Sequence, residues 1–100
     1  MVARAINRRP SESELAQVLC ALGDPVRLDI VRKLAQQGEI PCGGFCVNMP
    51  KSSLSHHFRV LREAGIIGSR PEGTSTLNYL ETKQMEKRFP GLLASVLGNL

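Results

Sequence analysis

Apolar residues recur at helical spacing along most of this chain, and the breaks between them mark out its elements. Leu15, Val18, Leu19 and Leu22 fall at i, i+3, i+4 and i+7, the stripe of an amphipathic helix. Ser11, with Glu14 three residues on, forms a capping box ahead of that stripe, and Gly23 ends it. Ala16 and Cys20 lie off the stripe on a second face of small residues. Asp24-Pro25 restarts the chain at once, as N-cap and first residue of a second helix. Leu28, Ile30, Val31, Leu34 and Ala35 give that helix its core side. Arg27, Asp29, Arg32 and Lys33 are expected to face solvent, and Gly38 closes the segment.

Residues 39–50 lose the period. Pro41, Pro50 and the Gly43-Gly44 pair argue against a regular helix of more than one turn, so a loop is expected, with Phe45, Val47 and Met49 reaching into the core. Helical spacing then returns. Leu54, Phe58 and Leu61, flanked by Val60 and Ala64, can bury one face of a short helix. The opposite face carries Ser53, Ser55, His56, Arg59 and Arg62, with no carboxylate before Glu63. Gly65 stops the helix, since glycine takes the left-handed conformation cheaply. Ile66-Ile67 opens a two-stranded hairpin around Pro71-Glu72-Gly73-Thr74, with Leu77 and Tyr79 alternating in the return strand. A last helix is expected from about 82 toward 99, kinked at Pro90. Met85, Phe89, Leu92, Leu93, Val96, Leu97 and Leu100 make it apolar for a terminal helix.

Composition narrows the picture. One hundred residues at 42% hydrophobic content make one small domain, of a size that often buries more apolar surface by dimerising. Thirteen Lys and Arg against nine Asp and Glu leave a net charge of +4, which suits a polyanionic partner. No apolar run approaches the roughly 18 residues that would read as a membrane span. Residues 1–10, with Arg4, Arg8 and Arg9 and no apolar core, read as a flexible basic arm and not as a secretory signal, leaving 11–100 as the domain. Three cysteines do not make a disulfide framework and fit a reducing cytoplasm.

Two motifs carry a resemblance. Ala21-Leu22-Gly23-Asp24-Pro25-Val26-Arg27-Leu28-Asp29-Ile30-Val31 resembles the opening signature of the ArsR-type metalloregulators. Leu54-Ser55-His56-His57-Phe58-Arg59-Val60-Leu61-Arg62-Glu63-Ala64-Gly65-Ile66-Ile67 is similar to that family's recognition helix and first wing strand. The likeness covers about residues 11–97. It implies a mainly α fold with a small β-hairpin, a winged helix-turn-helix. It also implies a homodimeric repressor that binds a palindromic operator on double-stranded DNA and lets go when an inducer arrives. The positions matching the family's DNA contacts are Lys51, Ser52, Ser53, Ser55, His56 and Arg59, with Arg70 at the wing. Ser52 and Ser53 could equally cap the helix, His57 could pack against the domain, and Arg70 could simply be solvated. The terminal helix is expected to pair with its symmetry mate and with the Ala16/Cys20 face, burying Leu93, Val96 and Leu97.

The family's metal sites are not matched. Residues 81–100 contain no His, Cys or Asp, and the segment before the recognition helix holds Cys42-Gly43-Gly44-Phe45-Cys46, a CxxxC pair in place of the family's CxCxxC. Cys42 and Cys46 could chelate a thiophilic metal or metalloid, close a disulfide, or only pack. No other cofactor is indicated. His56 and His57 lack a Ser, Cys or Asp partner on a sharp loop, and no phosphate-cradling glycine motif appears, so an enzyme is not expected. The rival to a DNA-binding repressor is a winged-helix module that contacts proteins. The acid-free polar face of residues 51–62 favours DNA.

Overall fold

The computed structural model describes residues 11–45 and 48–100, with the backbone alone at Cys42. The basic arm expected over residues 1–10, together with Cys46 and Val47, lies outside the described residues. In chain order the elements are α1 (Glu12–Leu22), α2 (Pro25–Gln37), β1 (Glu39–Pro41), a 3-10 turn (Cys42–Gly44), α3 (Lys51–Glu63), β2 (Ile67–Glu72), β3 (Ser75–Leu80), α4 (Thr82–Arg88) and α5 (Leu92–Gly98). The strands form one antiparallel sheet in the order β1-β3-β2. A mainly helical winged helix-turn-helix results.

Local chemistry sets the first two helices. The Ser11 hydroxyl accepts the Glu14 N–H at 3.2 Å, and Asp24 Oδ2 accepts those of Val26 and Arg27 at 2.9 and 3.1 Å. Packing then chooses which side turns inward. In α1 the buried set is Val18, Ala21 and Leu22, while Leu15 and Leu19 stay 38% and 50% exposed. The stripe read from the sequence therefore splits, and half of it faces out. In α2, Ile30, Val31 and Leu34 are buried and Leu28 is half-buried, but Ala35 is exposed.

The stretch expected as a loop contains a strand. Glu39, Ile40 and Pro41 pair with Tyr79, Asn78 and Leu77 of β3, so the hairpin becomes a three-stranded sheet. Three residues are too few to show a period of two, and proline fits here because β1 is an edge strand. Phe45 does reach the core, its ring edge-on to that of Phe58 with centroids 4.9 Å apart, and Met49 is half-buried.

In β3 the alternation of Leu77 and Tyr79 falls on half-buried positions, and the fully buried residue between them is Asn78. Its Oδ1 accepts the Ser69 hydroxyl of β2 at 2.9 Å, and its Nδ2 donates to the Ile40 carbonyl of β1 at 3.3 Å. On the other face the Tyr79 ring lies against Gly68, where a Cβ would come within 2.7 Å of the ring. The chain ends in two short helices in place of one kinked helix. Phe89-Pro90-Gly91 separates them, with Gly91 left-handed at φ +82°. Met85 and Leu93 enter the same core as α1, α2 and α3.

Candidate nucleic-acid interface

Helix α3 is built to show one face. Phe58 and Leu61 are buried, and Leu54 and Val60 pack partly against the core. Lys51, Ser52, Ser53, Ser55, His56, Arg59 and Arg62 are all exposed. The N-cap is Pro50, which makes no side-chain capping bond, so Ser52 and Ser53 are not cap residues but the second and third residues of the helix. Glu63 is the first carboxylate on the helix. The exposed face therefore offers hydroxyl, imidazole, ammonium and guanidinium donors, the groups that bond phosphate oxygens and base edges.

The C-terminal end of α3 is fixed from several sides. Gly65 is left-handed at φ +79°. Its N–H donates to Arg62 O and that of Ile66 to Leu61 O, both at 3.0 Å, the paired bonds of a Schellman turn. Arg88 of α4 donates to the Ala64 carbonyl at 3.1 Å, and Gln17 of α1 donates to that of Glu63 at 3.3 Å.

At its midpoint, α3 is tied through His57, which is only 15% exposed in its side chain. Arg27 Nη1 lies 3.0 Å from His57 Nδ1, and the same guanidinium donates from Nε to Ala21 O at 2.6 Å and from Nη2 to Cys20 O at 3.3 Å. Arg27 thus turns inward and does not face solvent as expected. His57 belongs to the domain and not to the polar face. Asp24 sits beside this cluster, its Oδ2 3.9 Å from His57 Nδ1. Burial alone would raise its pKa. The N–H groups of Arg27 and Val26, with the charge of Arg27, outweigh that and hold the carboxyl below the usual range.

Comparison with known proteins settles what kind of protein carries this helix. Residues 22–70 match a family described as a helix-turn-helix domain. The chain is 36% identical over 84 residues to the uncharacterized HTH-type transcriptional regulator YceK of Bacillus subtilis (strain 168), covering 81% of this chain and 84% of that protein. The chain belongs to the HTH-type transcriptional regulators, with a winged helix-turn-helix fold of the ArsR type. The crystal structure of an ArsR family transcriptional regulator, RHA00566, superposes on this regulator with a TM-score of 0.70 at 20% identity, over 79% of this chain and 82% of that one. The transcriptional regulator HlyU from Vibrio vulnificus CMCP6 gives a TM-score of 0.63 at 26% identity, over 96% and 98%. A DNA-binding regulator and not an enzyme follows from this kinship.

The wing of the regulator differs from expectation at Arg70. Its guanidinium is neither free nor simply solvated. Nη2 and Nε donate to the two oxygens of Glu39 on β1 at 2.8 and 3.2 Å, and Nη1 donates to Glu72 at 2.9 Å. Glu39 first and Glu72 second raise the pKa of this arginine above its usual value.

Of the expected dimer residues, Ala16 and Cys20 are exposed and Val96 and Leu97 are half-buried. Leu93 is only 4% exposed and packs within its own chain, so it has almost no surface left to lose on any association. Leu15 of α1 and Leu92 of α5 line a shared groove of about 290 Å³ with Arg88, Phe89 and Pro90. Cys46 and the Cys42 side chain lie outside the described residues. Among those described, no group of three His, Cys, Asp or Glu gathers as metal ligands. No described helix is long and apolar enough to cross a membrane. Arg27, Gln17 and Arg88 are the positioning residues that the sequence pattern missed, while His57 packs against the domain, one of the two readings open to it. The bonds of those three to α3 span 24 to 46 residues of chain, where no periodicity reports them.

Proposed function

We propose that this regulator is a cytoplasmic homodimeric repressor that reads an inverted-repeat operator with the exposed face of α3 and leaves it when an inducer binds. The observation that carries the reading is that Lys51, Ser52, Ser53, Ser55, His56 and Arg59 are all exposed together on one helix with no acid among them. Lys51 and Arg59 would sit on phosphates, while Ser55 and His56 read base edges. Arg70 would reach the duplex at the wing. A two-fold dimer would set two such helices about one DNA turn apart, matching the two halves of the repeat.

Association is assigned to α1 and α5. Leu15 and Leu19 add exposed apolar surface beside Ala16 and Cys20, and Val96 and Leu97 are only partly covered by their own chain. A dimer would bury what the monomer leaves wet. The inducer is proposed to be a thiophilic metalloid or an oxidant at Cys42 and Cys46. That pair lies between β1 and α3, so a restraint placed there acts at the start of the reading helix. We assign residues 1–10 to a basic arm ahead of the 11–100 domain.

Fluorescence anisotropy on a duplex enriched from a random pool by the native protein tests the reading. Ser55→Ala and His56→Ala should each lower the ratio of enriched to scrambled-duplex affinity about tenfold, the scale of one lost base contact, while charge-driven binding persists. Both variants discriminating like the native protein, with the fold intact, would remove α3 from the reading role. For the inducer, arsenite or hydrogen peroxide should weaken binding by the native protein and spare a Cys42→Ser, Cys46→Ser double variant. An equal response of the two would place the signal elsewhere.

A further inference from the structure

None of the residues assigned to DNA reading lies in the family-like stretch from Ala21 to Val31, and yet that stretch holds a guanidinium with three hydrogen-bond partners beside α3. Arg27 follows the Asp24 N-cap by three residues, which places it in the first turn of α2, directly across from the end of α1. From there one planar group serves three acceptors: the carbonyls of Ala21 and Cys20 at the end of α1, the second of which also takes the Gly23 N–H, and the imidazole of His57. Lysine could not replace it, because a single ammonium lacks the fixed fork that reaches all three.

The two ends of α3 are held unequally. The C-terminal end has the Gly65 turn, Arg88 and Gln17. The N-terminal end has no side-chain cap at Pro50, and among the described residues the hydrogen bond that ties the first half of the helix to the rest of the domain is that between Arg27 and His57, the seventh of its thirteen residues. In helix-turn-helix proteins the N-terminal residues of the reading helix are the ones that meet base edges. A tie at His57, within five residues of Ser52, Ser55 and His56 on the same helix, governs the angle at which they are presented.

We propose that Arg27, acting through His57, is a positioning residue for DNA reading, and that it sets the approach angle of α3 by fastening it to the end of α1. The proposal rests on the assignment of α3 as the reading helix. It also fixes a chemical state. A guanidinium only donates, so His57 Nδ1 must be the bare acceptor and the neutral ring must carry its proton on Nε2. Asp24, 3.9 Å away, is the other charged group facing that nitrogen, and the His56 ring lies 5.8 Å off on the same helix.

The test compares His57→Leu, which fills the space without an acceptor, with His57→Asn, whose Oδ1 can take the place of Nδ1. Each is titrated with the duplex that the native protein enriches and with a scrambled duplex, and each is checked by urea unfolding. His57→Leu should lose about tenfold in the ratio of the two affinities, the scale of one hydrogen bond to a charged group, and His57→Asn should recover most of it. Arg27→Met should lower the ratio in the native background and add nothing to His57→Leu. Nitrogen NMR of the native protein should show the Nε2–H tautomer at His57.

A lowered urea midpoint with an unchanged ratio would make the pair a packing contact and overturn the proposal, as would an Nδ1–H tautomer. A native protein that enriches no duplex would overturn the assignment of α3 itself. A native protein that enriches one, with His57→Leu discriminating equally well, would overturn the positioning role alone.

Discussion

Asn78 lies at the centre of the sheet, fully buried, with Ser69 on one side and Ile40 on the other. Asn78→Leu would match its size but leave the Ser69 hydroxyl and the Ile40 carbonyl without that partner. About 2 kcal/mol or more of stability should be lost, seen as a lower urea midpoint. An unchanged midpoint would contradict the role given to this side chain. Asp24 makes a different prediction, about acid. Its pKa in the fold is held below the ordinary 3.8, so its contribution is complete above that value and lost as pH falls through the lower, folded pKa. Asp24→Ala should therefore cost about 1 kcal/mol near neutral pH, the worth of an N-cap, and progressively less in acid. A cost that stays constant into strong acid would mean that the carboxylate charge contributes nothing. The sequence alone disclosed Asp24, because a cap is local chemistry. It did not disclose Asn78, because a polar residue between Leu77 and Tyr79 reads as the wet side of a strand.

The first three helices were the legible elements, whereas the expected single terminal helix is two. Ser11, Asp24, Gly38 and Gly65 start or stop them at the expected places, since each acts on backbone groups within a few residues. Which way a stripe faces depends on its partner, and that is where expectation and structure part. Leu15 and Leu19 share a period with Val18 and Leu22 but not their burial. β1 escaped notice because its pairing residues lie 36 or more positions along the chain and its own three show no alternation. The polar face of α3 was legible in full, since a short helix with a strong apolar stripe has its exposed side fixed by the buried one. The wing was not. Arg70 reads as a free cation until β1 brings Glu39 to it. If the wing approaches DNA, Glu39→Gln should raise affinity for any duplex about two- to fivefold, the scale of an exposed ion pair. Unchanged or weaker binding would show that Arg70 stays with Glu72 and away from DNA.

At the scale of the whole molecule, the single chain leaves apolar side chains on α1 exposed while its core is already closed by Met85 and Leu93. That division makes the assembly testable without disturbing the fold. Leu19→Asp changes a side chain that is half exposed, so the protomer should keep its circular dichroism. Buried in a dimer, an unpaired carboxylate would cost several kcal/mol, and sedimentation should show a monomer. A Leu19→Asp protein that still sediments as a dimer would place the interface elsewhere.

The central claim joins the two scales: the proposed dimer would present two copies of the α3 face to one side of a duplex. Hydroxyl-radical footprinting of the full chain on the duplex it enriches measures this directly. Two protected patches on one face, centred about 10 base pairs apart or a multiple of that, are the expected result. Protection should vanish from both patches together in Leu19→Asp at concentrations where the native protein protects them. A single patch, or protection spread evenly along the duplex, would contradict the account.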